Sequence, residues 1–181
     1  MPPLTYYWAQ LRQSFAKRGK DTAFRTAPFI DLILASTALP YQARILCVGP
    51  RNAGELAAWR RRGYQRLAGL DLLPIRDAAA HIGDMHHLPF ANEWADVIYA
   101  SHCFEHAYDF SVVAHEVLRV LKVGGWLFAA FPVHFTPTAH DRYDFGSVEG
   151  FLRWFDPARL TRLWHRETPT EVAVLARVEA K

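Results

Sequence analysis

The stretch ARILCVG (43–49) is apolar at every position from Ile45 to Val48 and then stops at Gly49-Pro50. A strand of this kind has no face that tolerates water, so both faces must be covered. That requirement constrains the fold more than any other feature, because helices have to lie above and below a sheet. Three similar segments follow: YQRLAGLDLLP ending near Asp71, AAAHIGD ending near Asp84, and ADVIYAS at 95–101. A fifth, WLFAAFP (126–132), closes at Pro132.

Helical patterns separate some of these runs. After the first, Asn52 with Glu55 three residues on has capping-box spacing, and LAAWRRRG runs to a stop at Gly63. Between the fourth and fifth, Phe110, Val113, Val117, Val120 and Leu121 recur at helical spacing, and Gly124-Gly125 are expected to end that helix. Residues 72–78 are too few for a strong helix before the third strand. The tail reads as a helix in GSVEGFLRWF, then two strands, LTRLWHRETP and TEVAVLARVEA, paired antiparallel around Pro169. APFIDLILASTALP is an apolar helix candidate within the first forty residues. The expectation is an α/β fold with a mostly parallel sheet, helices on both faces and an antiparallel C-terminal strand pair. With no linker or repeat, one domain is expected over 1–181: a helical extension at 1–42, a core at 43–133, and a loop, helix and terminal strands at 134–181.

Composition narrows the function classes. Half of the 181 residues are apolar, enough for a sizeable core. The net charge of +3 is small, and its only runs, RRR at 60–62 and KRGK at 17–20, read as solvated helix ends; this gives no case for nucleic acid. No stretch is long and apolar enough to span a membrane, and MPPLTYYWAQ lacks the layout of a signal peptide. Cys47 and Cys103 suit a reducing compartment and no disulfide framework, so a cytoplasmic protein is expected by default.

In open α/β sheets ligands bind beyond the carboxyl ends of the strands. The residues there are Gly49-Pro50-Arg51-Asn52, Asp71 with Leu72, Gly83-Asp84-Met85, and Ser101-His102. A carboxylate accepts two hydroxyl protons at once, so Asp71, about twenty residues past Gly49, suits a ribose diol. It equally suits opening the turn DLLP. Asp84 suits an exocyclic amine, or a turn after Gly83.

The segments GD-x-x-x-LPF (83–90), Asp96-Val97 and Glu105-His106, followed by Glu116, Arg119-Val120-Leu121-Lys122 and Gly124-Gly125, carry a resemblance. In that order and spacing over roughly 43–133, the chain resembles the class I S-adenosylmethionine-dependent methyltransferases, Rossmann-like enzymes, and is most similar to the group called methyltransferase type 11. The resemblance implies that Gly49 admits the methionine part of the cofactor, Asp71 holds the ribose, and Asp84 and Met85 meet the adenine. Ser101 and His102 would line the methionine side. The chain departs from the pattern at Cys47, where an acid is usual, at Arg51 and Ala53, where glycines are usual, and at Val123, where proline is usual. Arg51 either meets the methionine carboxylate or leaves that task to backbone N–H groups.

His102-Cys103-Phe104-Glu105-His106 also fits an H-x-x-E-H zinc pattern, but a strand end is not the helix that motif needs, so no functional metal is expected. The loop after the fifth strand is rich in His, Asp and Tyr. His140, Asp141, Arg142 and Tyr143 are the acceptor-side candidates there, with Asp144 and Ser147 available to cap the next helix. If the acceptor must lose a proton, His106 or His140 is the candidate base. The function expected is methyl transfer to a small-molecule acceptor; the alternative is a non-catalytic S-adenosylmethionine-binding or interaction protein on the same fold. LCVGPRNAGEL does not supply G-x-G-x-x-G, which argues against a nicotinamide enzyme.

Overall fold

The computed structural model describes residues 2–17, 19, 23–156 and 159–179; Arg18 and Lys20 of the KRGK run lie outside them. Its strands, in chain order, are Ile45–Val48 (β1), Leu67–Asp71 (β2), Ala80–Ile82 (β3), Ala95–Ser101 (β4), Leu121–Pro132 (β5), Leu160–Glu167 (β6) and Glu171–Val178 (β7). They form one seven-stranded sheet in the order β3-β2-β1-β4-β5-β7-β6. The pairs from β3 to β5 are parallel, and β7 pairs antiparallel with both β5 and β6. This is the mixed sheet, with an antiparallel C-terminal pair, that the strand pattern predicts. The helices are Leu4–Lys17 (α1), Ala23–Ser36 (α2), Gly54–Arg60 (α3), Phe110–Val120 (α4) and Val148–Leu152 (α5).

The all-apolar strands separate into two cores by simple alternation. Leu46 and Val48 of β1 join Ile98, Val113, Val117 and Phe151 on one face. Ile45 and Cys47 join Ile30, Ile33, Trp59 and Tyr99 on the other. All twelve are at most 2% exposed. Burying each large apolar side chain contributes roughly 1.5–3 kcal/mol, so covering both faces holds even so short an element as β1 in place.

Several local expectations are corrected. Asn52 does not cap α3: its Oδ1 accepts from Gly54 N (2.9 Å), the first helical turn has no side-chain cap, and Glu55 turns inward instead of completing a capping box. Helix α4 stops at Val120, not at Gly124, because Leu121 already pairs with Ala95 of β4. The two glycines lie within β5, where Gly124 adopts φ +78° and a Cβ on Gly125 would meet two backbone carbonyl oxygens within 3.1 Å. Helix α1 lies in the expected helical extension at 1–42 but is not singled out there, since its outward face carries Leu4, Trp8 and Phe15 and blurs any amphipathic signal. Among the described residues no helix is long and apolar enough to cross a membrane.

The order of strands reverses between β1 and β4. At such a switch point the loops leaving two neighbouring strands diverge and leave a crevice above their carboxyl ends.

Candidate functional site

The crevice is lined by residues from the ends of four strands. Val48, Gly49 and Arg51 follow β1, Asp71 and Leu72 end β2, Gly83, Asp84 and Met85 follow β3, and His102 and Cys103 follow β4. His106 and His140 close one end, and α1 lays Tyr6, Gln10, Gln13 and Ser14 over the top. Of the strand-end residues singled out from sequence, Pro50, Asn52 and Ser101 do not line it. Pro50 packs toward Gly69 of β2, and Ser101 is an 8% exposed part of β4. Gln10, Gln13 and Ser14 of α1 carry no sequence signal.

The first turn is built around Gly49. It adopts φ +65°, and a Cβ there would lie 2.5 Å from Cys103 Cβ, so the turn and the loop after β4 touch through the missing side chain. Arg51 and His102 also adopt left-handed backbone, at φ 54° and 53°. Each costs on the order of 1 kcal/mol, and both stand on the rim of the crevice, where such strain concentrates.

Asp71 fills the turn role proposed for it and also links two segments. Its Oδ1 accepts from Leu73 N (2.9 Å), the turn role, while Oδ2 accepts from Arg51 N (3.1 Å) and ties the first turn to β2. Asp84 accepts from Tyr7 Oη (2.7 Å) and from His86 N (2.9 Å), and its Oδ1 also meets the His86 ring. Burial works to raise the Asp84 carboxyl, but His86 and Tyr7 outweigh it and hold it below the ordinary range. The same contact, with burial, pushes the Tyr7 phenol up to about 12.

A second cavity adjoins the first and is lined by Arg25, Glu105, Pro132, Phe135, Thr136 and Asp141. Arg51, His102 and His106 line both, so they form the wall between them. His140 and Asp141 therefore reach the joint, whereas Arg142 and Tyr143 line neither cavity. The Arg142 guanidinium stacks 4.9 Å over Tyr108, and Tyr143 Oη accepts from Phe110 N (3.1 Å). Ser147 caps α5 through Gly150 N (3.0 Å), and Asp144 holds its own loop through Phe135 N and Gly146 N. The H-x-x-E-H pattern falls on a single short 3₁₀ turn, Phe104–His106, and His102 Nε2 turns away to Glu171 (2.9 Å).

The LPF and E-x-x-R segments act as a clamp outside the crevice. Arg119 donates to both oxygens of Glu116 and to the carbonyls of Leu88 and Phe90, while Glu116 accepts from Leu88 N (2.8 Å). This pins the loop that carries Asp84 and Met85 onto α4.

Residues 46–129 match the family described as methyltransferase domain. No curated protein matches the sequence. Among solved structures, the [4+2]-cyclase SpnF superposes with a TM-score of 0.71 at 15% identity, covering 86% of this chain and 81% of that one. An S-adenosylmethionine-dependent methyltransferase from Aquifex aeolicus gives 0.67 at 11% identity, covering 90% and 96%. Geranyl diphosphate C-methyltransferase from Streptomyces coelicolor, solved with Mg2+, geranyl diphosphate and S-adenosyl-L-homocysteine, gives 0.64 at 12% identity, covering 82% and 77%.

Proposed function

We propose that this chain is a class I S-adenosylmethionine-dependent methyltransferase, that the acceptor is a small molecule, that the crevice over β1–β4 holds the cofactor, and that the adjoining cavity holds the acceptor. The observation that carries this reading is the shared wall. Arg51, His102 and His106 border both spaces, so ligands in the two would share these three side chains.

The donor set suits the cofactor. Asp71 presents a carboxylate at the crevice for the ribose hydroxyls, Asp84 is held ionised to accept from an amine, and Leu72 and Met85 offer apolar surface to the adenine. The backbone opening at Gly49 faces the methionine part, with Arg51 beside it. S-adenosylmethionine, when bound, supplies a methyl group already activated on a sulfonium. The protein's task is then alignment and exclusion of water, which supply much of the acceleration in such transfers. Helix α1 excludes water from above through Tyr6 and Gln10. His106 and His140 stand at the joint, where an acceptor proton would be handled.

The alternative, binding without transfer, draws on Cys47 and Arg51 in the first turn and on a cyclase among the fold neighbours. Calorimetry separates the readings in two steps. S-adenosylhomocysteine should bind at micromolar levels, and Asp71→Asn should weaken it about 10- to 100-fold, the loss of one charge-assisted hydrogen bond or more. No binding to the parent chain overturns the site. Binding without labelled methyl transfer to any member of a broad panel of hydroxyl, amine, thiol and carboxylate acceptors favours the alternative.

A further inference from the structure

We propose that His106, His140 and Asp141 form a binding site for one divalent first-row transition ion at the joint between the two cavities. This rests on the assignment of the second cavity to the acceptor. One nitrogen from each histidine and one carboxylate oxygen lie within 4.8 Å of one another. His106 Nδ1 stands 2.9 Å from Asp141 Oδ1, and His140 Nε2 stands 3.6 Å from the same oxygen. With metal bonds of about 2.0–2.1 Å, tetrahedral donors stand about 3.3 Å apart; the two separations bracket that value. His106 Nδ1 is buried and close to the carboxylate, yet makes no hydrogen bond to it.

The site is built, not incidental. Its two segments are held together by Arg142 N and Tyr143 N, which both donate to Glu105 O (2.7 and 3.0 Å). From α1, buried Gln10 donates through Nε2 to the carbonyls of both His106 and His140 (3.2 and 3.0 Å). Glu105 Oε1 lies 3.8 Å from His106 Nε2, the side on which ligating histidines carry an orienting carboxylate. Two imidazoles and one carboxylate suit zinc or iron(II) over magnesium, and three protein ligands leave a position open. That position faces the second cavity, so the acceptor class it selects carries an oxygen donor, a hydroxyl or carboxylate, that completes the coordination. The sequence expectation of no functional metal concerned His102 with His106; the set here joins residues 34 positions apart.

The test is metal binding itself, on the purified, tag-free full chain. Equilibrium dialysis should show one Zn2+ per chain, and Co2+ should give visible absorption of a low-symmetry site. His106→Ala/His140→Ala and, separately, the milder Asp141→Asn should each weaken Zn2+ at least tenfold, with far-ultraviolet circular dichroism unchanged in Asp141→Asn. No stoichiometric Zn2+ on the parent chain overturns the site, and so does full affinity in Asp141→Asn, which would place the ion on other histidines. S-adenosylhomocysteine titrated in parallel separates the two readings: its binding without Zn2+ sinks only the metal site, and Zn2+ binding without it sinks only the cofactor assignment.

Discussion

Replacing Arg119 by methionine keeps the length of the side chain and removes five hydrogen bonds: two to Glu116 and one each to Leu88 O, Phe90 O and Asn92 Oδ1. The Glu116 carboxylate, 8% exposed, then keeps only Leu88 N. In the parent chain the Arg119 hydrogen bonds hold the Glu116 carboxyl below its ordinary range. A depressed carboxyl contributes stability above its unfolded pKa, and that contribution is lost as pH falls through the folded value. In the variant the sign reverses, because burial without a partner raises the group. Its escape is to take up a proton, which at pH 7, starting from about 4.3, costs about 3.7 kcal/mol at most. Water at the partly exposed Arg119 position softens this, so a loss of about 2–4 kcal/mol is expected. For a chain of this size that lowers Tm by roughly 4–16 °C. At pH 5 the protonation cost falls to about 1 kcal/mol, so the defect should shrink. Urea unfolding at both pH values measures this, with Glu116→Gln/Arg119→Met completing a double-mutant cycle. A loss below about 1 kcal/mol at pH 7, or one that does not shrink at pH 5, refutes the clamp.

Two further substitutions probe the first turn. Gly49→Ala should destabilise the chain by about 2 kcal/mol or more, since φ +65° and the Cys103 contact both oppose a Cβ; Cys103→Gly added to it should recover part of the melting temperature, and no recovery would place the problem elsewhere. Glu55 is 3% exposed, and burial raises its carboxyl well above the ordinary range. A raised carboxyl costs stability as pH climbs from the unfolded value toward the folded one, so Glu55→Gln should gain on the parent chain between pH 5 and 8 in urea midpoints; an unchanged difference across that range would contradict it.

How much of this was legible beforehand varies by residue. β1 through β5 were placed within a few residues because each carries its own apolar run. The ends shifted where a neighbour decided them: α4 yields to β5 at Leu121 because Ala95 offers a ladder partner, which no local pattern records. Asp71, Asp84 and Met85 reached the crevice as expected, since a residue just past a parallel strand points to the same rim whatever the fold's details. Arg142 and Tyr143 stood in an equally suggestive loop and turned instead to Tyr108 and Phe110.

The sequence by itself therefore determined the layered sheet and the rim of strand ends, because strand periodicity and turn chemistry act over a few residues; the cofactor class came from the resemblance that its motifs carry. Only the tertiary structure decided which side chains share a site. Tyr7 meets Asp84 across 77 positions, and Gln10 joins His106 and His140 across 96 and 130. Those meetings depend on how α1 and the loop after β5 settle on the sheet. That settling is fixed by packing and by satisfaction of buried polar groups, which are properties of the assembled fold and leave no periodic trace along the chain.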